Sequence, residues 1–99
     1  MPTLSEYTNV YNTALLILRE KGYQVWHDTN AELYFAEKEG WDFAADSPCG
    51  LLGVVAIREH LAPKEYREYW WKKDGPDLYD NLPDSPGPFV SVMSRPEVK

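Results

Sequence analysis

The stretch that decides the fold is LYFAEKEGWDFAADSPCG, residues 33–50. Side chains of residues 33–36 and of residues 41–46 alternate with a period of two, which is typical of β-strands. Glu39-Gly40 lies between these runs and offers the residues of a tight turn. Asp46-Ser47-Pro48 then marks the beginning of a helix. The stretch therefore predicts a β-hairpin that leads directly into a helix.

The helix signal has a physical basis in its first residues. Ser47 can accept a hydrogen bond from a free backbone N–H of the first turn, and Pro48 loses nothing there by lacking an N–H. The run Cys49–Leu61 is apolar on almost every side, which predicts a buried central helix. Three small residues should let this helix approach the sheet closely: Gly50, Gly53 and Ala56.

The residues before the hairpin predict one more helix and one more strand. Apolar side chains recur at spacings of three and four, and we place an amphipathic helix over about residues 4–21. Thr3 and Glu6 resemble a capping box at its beginning, and Gly22 marks its end. Residues 23–28 alternate with a period of two, so they add a third strand to an antiparallel meander.

The C-terminal third of the chain is less regular. Residues 64–72 follow Pro63 and fit either a short helix or a strand. Residues 74–88 contain prolines, glycines and aspartates in quick succession, which predicts an irregular surface segment. We expect residues 89–93 to form one edge strand and residues 94–99 to be frayed.

Together these elements predict an α+β fold in a single domain that covers residues 1–99. The N-terminal helix and the buried central helix pack against one face of a small antiparallel sheet. The irregular, Pro-rich C-terminal segment runs over the outside. A chain of 99 residues is long enough to bury a single core without disulfides or metals.

The charge balance limits the class of partner. Sixteen acidic and ten basic residues give a net charge of −6, and the basic residues are scattered along the chain. They would not attract a phosphate backbone, so we predict no nucleic-acid partner and allow a basic protein as partner. The longest apolar run, Leu51–Ile57, is too short to span a bilayer, so no membrane partner is expected. Cys49 is the only cysteine, which excludes an internal disulfide and favours a reducing, cytoplasmic location.

No catalytic, metal-binding or cofactor motif stands out. Cys49 lies in the first turn of a predicted helix, which favours a thiolate, but free cysteines are usually small buried hydrophobes. His27 and His60 are isolated, whereas zinc needs three or four convergent ligands. The aspartates of residues 74–84 lack the spacing of a calcium-binding loop. We therefore predict no catalytic residue, no metal and no cofactor.

Aromatic side chains in the second half of the chain are the best candidates for a binding surface. Tyr and Trp dominate binding hot spots, because they provide a large contact area at low entropic cost. We name five aromatic and two acidic candidate binding residues: Tyr66, Tyr69, Trp70, Trp71, Tyr79, Asp42 and Asp46. For the aromatic group as a whole the core is the favoured location, since aromatic stripes most often pack inward.

Two segments resemble a known family. Residues 32–40, followed by residues 46–52, resemble the toxin-contacting region of colicin-type nuclease immunity proteins, which are also small and acidic. The likeness covers under a quarter of the chain and requires an insertion around Trp41–Ala45. That family is a helical bundle, whereas these residues are predicted to form strands. The resemblance implies a functional class, a small acidic inhibitor held against a basic toxin, and no residue role is carried over.

These observations predict a non-enzymatic protein-binding module, with an immunity-like inhibitor as its most specific form. The alternative is a small-molecule-binding protein or minor enzyme with a pocket between sheet and helices, lined by Trp26, Trp41 and Tyr34. Cys49 or His27 would supply its chemistry. The protein would be a monomer, or a homodimer whose subunits bury the aromatic patch.

Overall fold

The computed structural model describes residues 2–86. The chain divides into two compact units, Leu4–Lys72 and a second that combines Met1–Thr3 with Lys73–Lys99. The first contains, in chain order, a 3₁₀ turn (Thr8–Val10), α1 (Tyr11–Glu20), β1 (Gln24–Asp28), β2 (Leu33–Lys38), β3 (Trp41–Ala45) and α2 (Pro48–Leu61). A three-stranded antiparallel sheet with two helices confirms the predicted α+β class. That residues 1–99 form one domain stays a prediction.

The hairpin of β2 and β3 is closed by a two-residue turn. Glu39 (φ 53°) and Gly40 (φ 84°) both have positive φ, as in the type I′ turn, whose twist matches that of the flanking strands. Lys38 therefore lies opposite Trp41. Glu37 supports the turn, since its Oε2 accepts a hydrogen bond of 3.0 Å from the Gly40 N–H. The predicted tight turn is confirmed, and it fixes the register of the two strands.

The sheet has the order β1-β2-β3, with β2 in the centre. Trp26 on β1 lies opposite Phe35, which in turn lies opposite Ala44 on β3. Because side chains alternate along each strand, these three share one face, which we call the outer face. The buried side chains of β2 and β3, Ala36 and Phe43, belong to the other face, which packs with the helices in the core.

The core lies between the two helices and the inner face of the sheet. Its six clustered buried residues are Leu18, Tyr23, Ala36, Phe43, Leu51 and Val55. The Tyr23 ring meets Phe43 edge to face, with ring centroids 5.9 Å apart. Lys38 Nζ lies 5.3 Å from the Tyr23 ring centroid and donates to the Lys21 carbonyl oxygen at 2.7 Å. Arg58 donates to the Tyr23 hydroxyl at 3.4 Å, so contacts of one ring connect β2, β3 and α2.

α2 begins as the sequence predicts. Ser47 is its N-cap, with an Oγ that accepts a hydrogen bond of 2.9 Å from the Gly50 N–H, and Pro48 is the first helical residue. The same Oγ donates a hydrogen bond of 2.6 Å to Glu6 Oε2. One side chain thus caps α2 and holds the segment that precedes α1.

Burial of α2 is confined to one face rather than extending all round. Its buried residues are Pro48, Leu51 and Val55, and the exposed ones include Gly53, Ala56 and Ile57. Gly50 does approach the sheet closely, as predicted, since a Cβ there would lie 3.4 Å from the Ala45 Cβ. Gly53 and Ala56 do not have the predicted role, because both lie on the exposed side.

α1 begins later than predicted. The sequence placed its start at residue 4, whereas regular helix starts at Tyr11, after the 3₁₀ turn. Leu4 and Tyr7 are 84% and 68% exposed, so their burial does not offset the entropy of ordering extra helical turns. Glu6, predicted to lie in the first turn of this helix, precedes the 3₁₀ turn instead, and its carboxylate accepts a hydrogen bond from Ser47.

Residues 64–72 are neither helix nor strand, so both alternatives predicted for them are wrong. Ala62 leaves α2 in the left-handed conformation (φ 48°), and Tyr69 also has a positive φ of 60°. A residue with positive φ interrupts either regular structure. The segment instead contains turns, with hydrogen bonds of 3.0 Å from the Trp70 N–H to the Arg67 oxygen and from the Lys72 N–H to the Tyr69 oxygen.

The second unit has no helix or strand in its described residues, 2–3 and 73–86. Asp77 organises a turn there: its Oδ1 accepts from the Asp80 N–H at 3.3 Å, and its carbonyl oxygen accepts from Asn81 Nδ2 at 2.8 Å. That residues 74–88 form an irregular surface segment stays a prediction. The strand predicted for residues 89–93 and the frayed end at 94–99 lie outside the described residues.

Two alanine substitutions test the hairpin turn and α2 with the same side-chain change. Gly40→Ala forces an L side chain into positive φ, and we expect it to lower the free energy of unfolding by about 1–2 kcal/mol. Gly53→Ala occupies open space on an exposed helical position and should raise it by about 1 kcal/mol. Urea unfolding measures both changes, and shifts of the same sign would contradict this account.

Candidate functional site

Trp70 anchors the segment after α2 to the sheet. Its ring meets the Trp41 ring edge to face, with 5.2 Å between centroids, and it packs against the core. The Arg58 guanidinium lies 5.1 Å from the Trp41 ring centroid and adds a cation–π contact to this aromatic pair. Trp70 is half-buried, while residues 64–69 and residues 71–72 on either side of it are exposed.

Three grooves within Leu4–Lys72 share Trp70 in their walls. The first, here the turn groove, has a volume of about 420 Å³ and is lined by Gly40, Trp41, Asp42, Glu65, Tyr66 and Trp70. The second, the edge groove, has about 350 Å³ and is lined by Asp42, Phe43, Ala44, Val54, Ile57, Trp70 and Trp71. The third, of about 580 Å³, is lined by Leu61, Pro63, Lys64, Glu65, Arg67 and Trp70. Asp42 lies in the walls of both grooves along β3.

Among residues 2–86, β3 is an edge strand, and its backbone has no strand beside it on the side away from β2. In a two-residue hairpin the residues that flank the turn exchange hydrogen bonds, and bonded and non-bonded pairs then alternate. Because Lys38 and Trp41 flank the turn, the bonded positions of β3 are 41, 43 and 45. The N–H and C=O groups of Asp42 and Ala44 therefore point away from β2. No other part of residues 2–86 forms a backbone hydrogen bond with them.

The charged side chains in the walls of the two grooves along β3 are acidic: Asp42 lines both and Glu65 lines the turn groove. Asp42 also lies directly opposite Glu37 on β2, which brings two like charges together across the strands. Arg58 is only 17% exposed and lies 4.0 Å from the Glu39 carboxylate, so its charge is largely engaged inside the fold. The grooves therefore combine apolar walls with negative charge.

The structure brings together four of the seven sequence-predicted binding residues in these two grooves: Asp42, Tyr66, Trp70 and Trp71. Tyr69 joins them indirectly, since its ring meets the Trp71 ring edge to face at 5.8 Å. Asp46 is exposed just after β3 and lies outside the walls of both grooves. Tyr79 belongs to the second unit, where its side chain is 91% exposed.

The expectation that the aromatic group packs into the core is wrong for most of its members. Tyr66, Tyr69 and Trp71 are 74%, 62% and 53% exposed, and only Trp70 packs against the core cluster. The reason lies in the backbone: a series of turns cannot present a regular stripe of side chains to one side, as a helix or strand does.

The apolar wall of the edge groove, and the position of β3 at the edge of the described sheet, were not predicted from the sequence. Val54 and Ile57 form part of this wall, on a helix that was expected to be buried all round. A signal for the open strand was present, because the last strand of a predicted three-stranded meander has a partner on only one side.

The pocket predicted between sheet and helices does not form as expected. Trp26 lies on the outer face, where its ring stacks on Phe35 with centroids 5.5 Å apart and an interplanar angle of 8°. Tyr34 and Trp41 lie on the inner face and pack against the core. Side-chain alternation along the strands therefore puts Trp26 on the opposite side of the sheet from the other two predicted wall residues.

Cys49, the candidate nucleophile, is half-buried in the first turn of α2. Tyr11 on α1 lies within electrostatic reach of Glu6, Cys49 and Tyr34. Partial desolvation of Tyr11 raises its pKa above the ordinary value, and the Glu6 carboxylate adds to the effect because it repels a phenolate. No hydrogen bond joins Cys49 to a base within residues 2–86.

Neither histidine belongs to a ligand cluster in the described part of the chain. His27 stacks on Tyr34 with ring centroids 4.4 Å apart, and His60 is exposed near the end of α2. Residues 2–86 contain no group of three His, Cys, Asp or Glu side chains arranged to hold a metal ion. Over the same residues, neither helix has the length and apolar content needed to cross a membrane.

Comparison of the chain with protein-family models, with curated proteins and with solved structures gives no match. The strand geometry of residues 33–38 and 41–45 also differs from the helical bundle of the immunity proteins.

Two tryptophan substitutions separate anchoring from surface display. Trp70→Ala removes the contact with Trp41 and with the core, and should lower the free energy of unfolding by about 2 kcal/mol or more. Trp71→Ala removes an exposed ring and should change it by less than about 0.5 kcal/mol. Urea unfolding tests the difference, and a larger loss for Trp71→Ala would overturn the assignment of Trp70 as anchor.

The raised pKa of Tyr11 predicts a loss of stability at alkaline pH. A phenol whose pKa is higher in the folded state stabilises the fold below the unfolded pKa of about 10, and this contribution is lost as pH rises through the folded pKa. Between about pH 8 and pH 11 the free energy of unfolding should therefore fall less steeply in Tyr11→Phe than in the wild type. Urea unfolding across this range measures the slopes, with Tyr66→Phe as control for removal of an exposed phenol. Parallel slopes for wild type and Tyr11→Phe would refute the prediction.

Proposed function

We propose that the chain is a non-enzymatic protein-binding module that holds a basic partner protein against the turn groove and the edge groove. The observation that carries this proposal is the combination, around Trp70, of exposed aromatic rings, acidic side chains and a strand edge that has no neighbouring strand in residues 2–86. The most specific form of the proposal is an immunity-like role, in which a small acidic inhibitor blocks a basic toxin.

The aromatic rings would supply the affinity. Tyr66 and Trp71 expose more than half of their surface, and each lines a groove together with the anchored Trp70. Rings held in this way lose little conformational entropy on binding, which is why Tyr and Trp are enriched among hot-spot residues. Burial of these rings by a partner would remove apolar surface from water at low cost.

The acidic side chains would supply steering and selectivity. Asp42 and Glu65 line the grooves, and the whole chain carries a net charge of −6. Complementary charge raises the association rate and disfavours partners of like sign. The proposal includes a cytoplasmic location, for which a lone, unpaired Cys49 is suited, and a one-to-one complex with the partner.

Affinity capture from native lysate tests the proposal when wild type is compared with matched variants. We expect a stoichiometric basic partner that is retained at low salt, weakened at moderate salt and lost with Asp42→Lys or Trp71→Ala. Glu20→Lys is the matched control: it makes the same charge change at an exposed position of α1 and should retain the partner. Asp46→Lys, outside the groove walls, should slow association and leave the dissociation rate nearly unchanged. Identical capture by wild type, Asp42→Lys and Trp71→Ala would exclude the two grooves as binding site.

A further inference from the structure

We infer that the partner binds through an extended basic segment that pairs with β3 as a fourth strand of the sheet. This inference rests on the proposed function and specifies how the groove surface is used. Main-chain pairing would supply affinity, and side-chain contacts on the two faces of the new strand would supply specificity.

The first observation is the backbone of β3, whose outward groups have no backbone partner in residues 2–86. The N–H and C=O groups of Asp42 and Ala44 point outward, and both residues are exposed. Residues two apart on a strand are about 6.6 Å from each other, so a three-residue stretch of an added strand can satisfy all four groups. An edge of this kind is a ready template for another strand.

The second observation is the shape beside that edge. Val54, Ile57, Trp70 and Trp71 form the apolar wall of the edge groove, on the side of the strand that faces α2. A strand paired with β3 would direct alternate side chains to this side. Apolar residues at those positions would fill the groove and bury Ile57, which is 44% exposed.

The third observation fixes the chemistry of the other face. On the outer face Asp42 lies opposite Glu37, and like charges directly opposite one another destabilise a strand pair. A Lys or Arg opposite Asp42 on an added strand would place a cation beside the carboxylates of Glu37 and Asp42 and reduce their repulsion. The preferred segment therefore alternates apolar and basic residues.

Charge also decides between this occupant and a second copy of the chain. Edge-to-edge pairing of two β3 strands would bring the carboxylates of two chains together, each chain with a net charge of −6. Charged side chains on an edge strand are a known means by which proteins prevent such pairing. The same acidic residue that opposes a second copy attracts a basic strand.

A peptide probe tests this mode of binding on the full chain. The probe is a fluorescein-labelled, amidated peptide of alternating Lys and Val, seven residues long, and fluorescence anisotropy measures its Kd. We expect salt-sensitive binding that weakens at least about tenfold with Ala44→Pro, which removes one outward N–H and is tolerated at an edge position. His27→Pro is the matched control, because the His27 N–H points outward on the opposite edge, β1, and its loss should leave the Kd unchanged.

A second probe leaves the protein unaltered, so a folding defect in Ala44→Pro cannot obscure the result. The same peptide methylated at the backbone nitrogens of its lysines lacks the N–H donors that lie opposite Asp42 and Ala44, and should bind at least about tenfold more weakly than the parent peptide. Amide hydrogen exchange should slow at Asp42 and Ala44 on binding, with no change at Val25 and His27.

Three results would overturn the inference: no binding of the parent peptide, equal binding of the methylated one, or a dimer of the chain alone that Ala44→Pro dissolves. The capture experiment tests the proposed function separately. If Asp42→Lys and Trp71→Ala abolish capture while Ala44→Pro leaves it intact, the grooves bind the partner through side chains and only the added strand is excluded.

Discussion

The register of the β2–β3 hairpin is the constraint on which the rest of the structure depends. A shift by one residue would turn Trp41 and Phe43 to the outer face and bring Asp42 into the core. The two-residue turn prevents this shift, although Glu39 must adopt a positive φ that is unfavourable for a side chain with a Cβ. The hydrogen bond from the Gly40 N–H to Glu37 helps to offset that cost.

With the register fixed, the inner face supplies a core that two helices can cover. Tyr23 meets Phe43 within it and is contacted by Lys38 and Arg58 at its rim. The helices are joined to each other at the surface by the ion pair of Lys21 with Glu59 at 2.9 Å, which is a weak contribution because both side chains are more than a third exposed. The segment after α2 lies beside the β3 edge of the sheet through the contact of Trp70 with Trp41.

The sequence was informative where local chemistry determines the backbone. Glu39-Gly40, the Ser47 cap and the period-two runs all predicted the observed elements, because turn, cap and strand preferences act over a few residues. It was uninformative over residues 64–72, where the positive φ of Tyr69 breaks a pattern that fits helix or strand equally well. The aromatic binding residues could be named from residue type, but their grouping around Trp70 depends on turns that no periodicity encodes. The predicted start of α1 was wrong for a related reason. An apolar stripe stabilises a helix only where its side chains pack against a core.

An open edge is a liability that a small protein must manage, and β3 shows how the same residues can restrict pairing and permit it. An edge strand that is long, flat and apolar invites association with any exposed strand. β3 is only five residues long. Asp42, one of its two residues whose N–H and C=O groups point away from β2, carries a carboxylate. The carboxylate opposes strands that are acidic or that belong to a second copy, whereas the apolar wall beside it accepts side chains that reach across from a cationic strand. Selectivity in this arrangement comes from repulsion as much as from attraction, since removing the charge would widen the range of strands that can pair rather than abolish pairing.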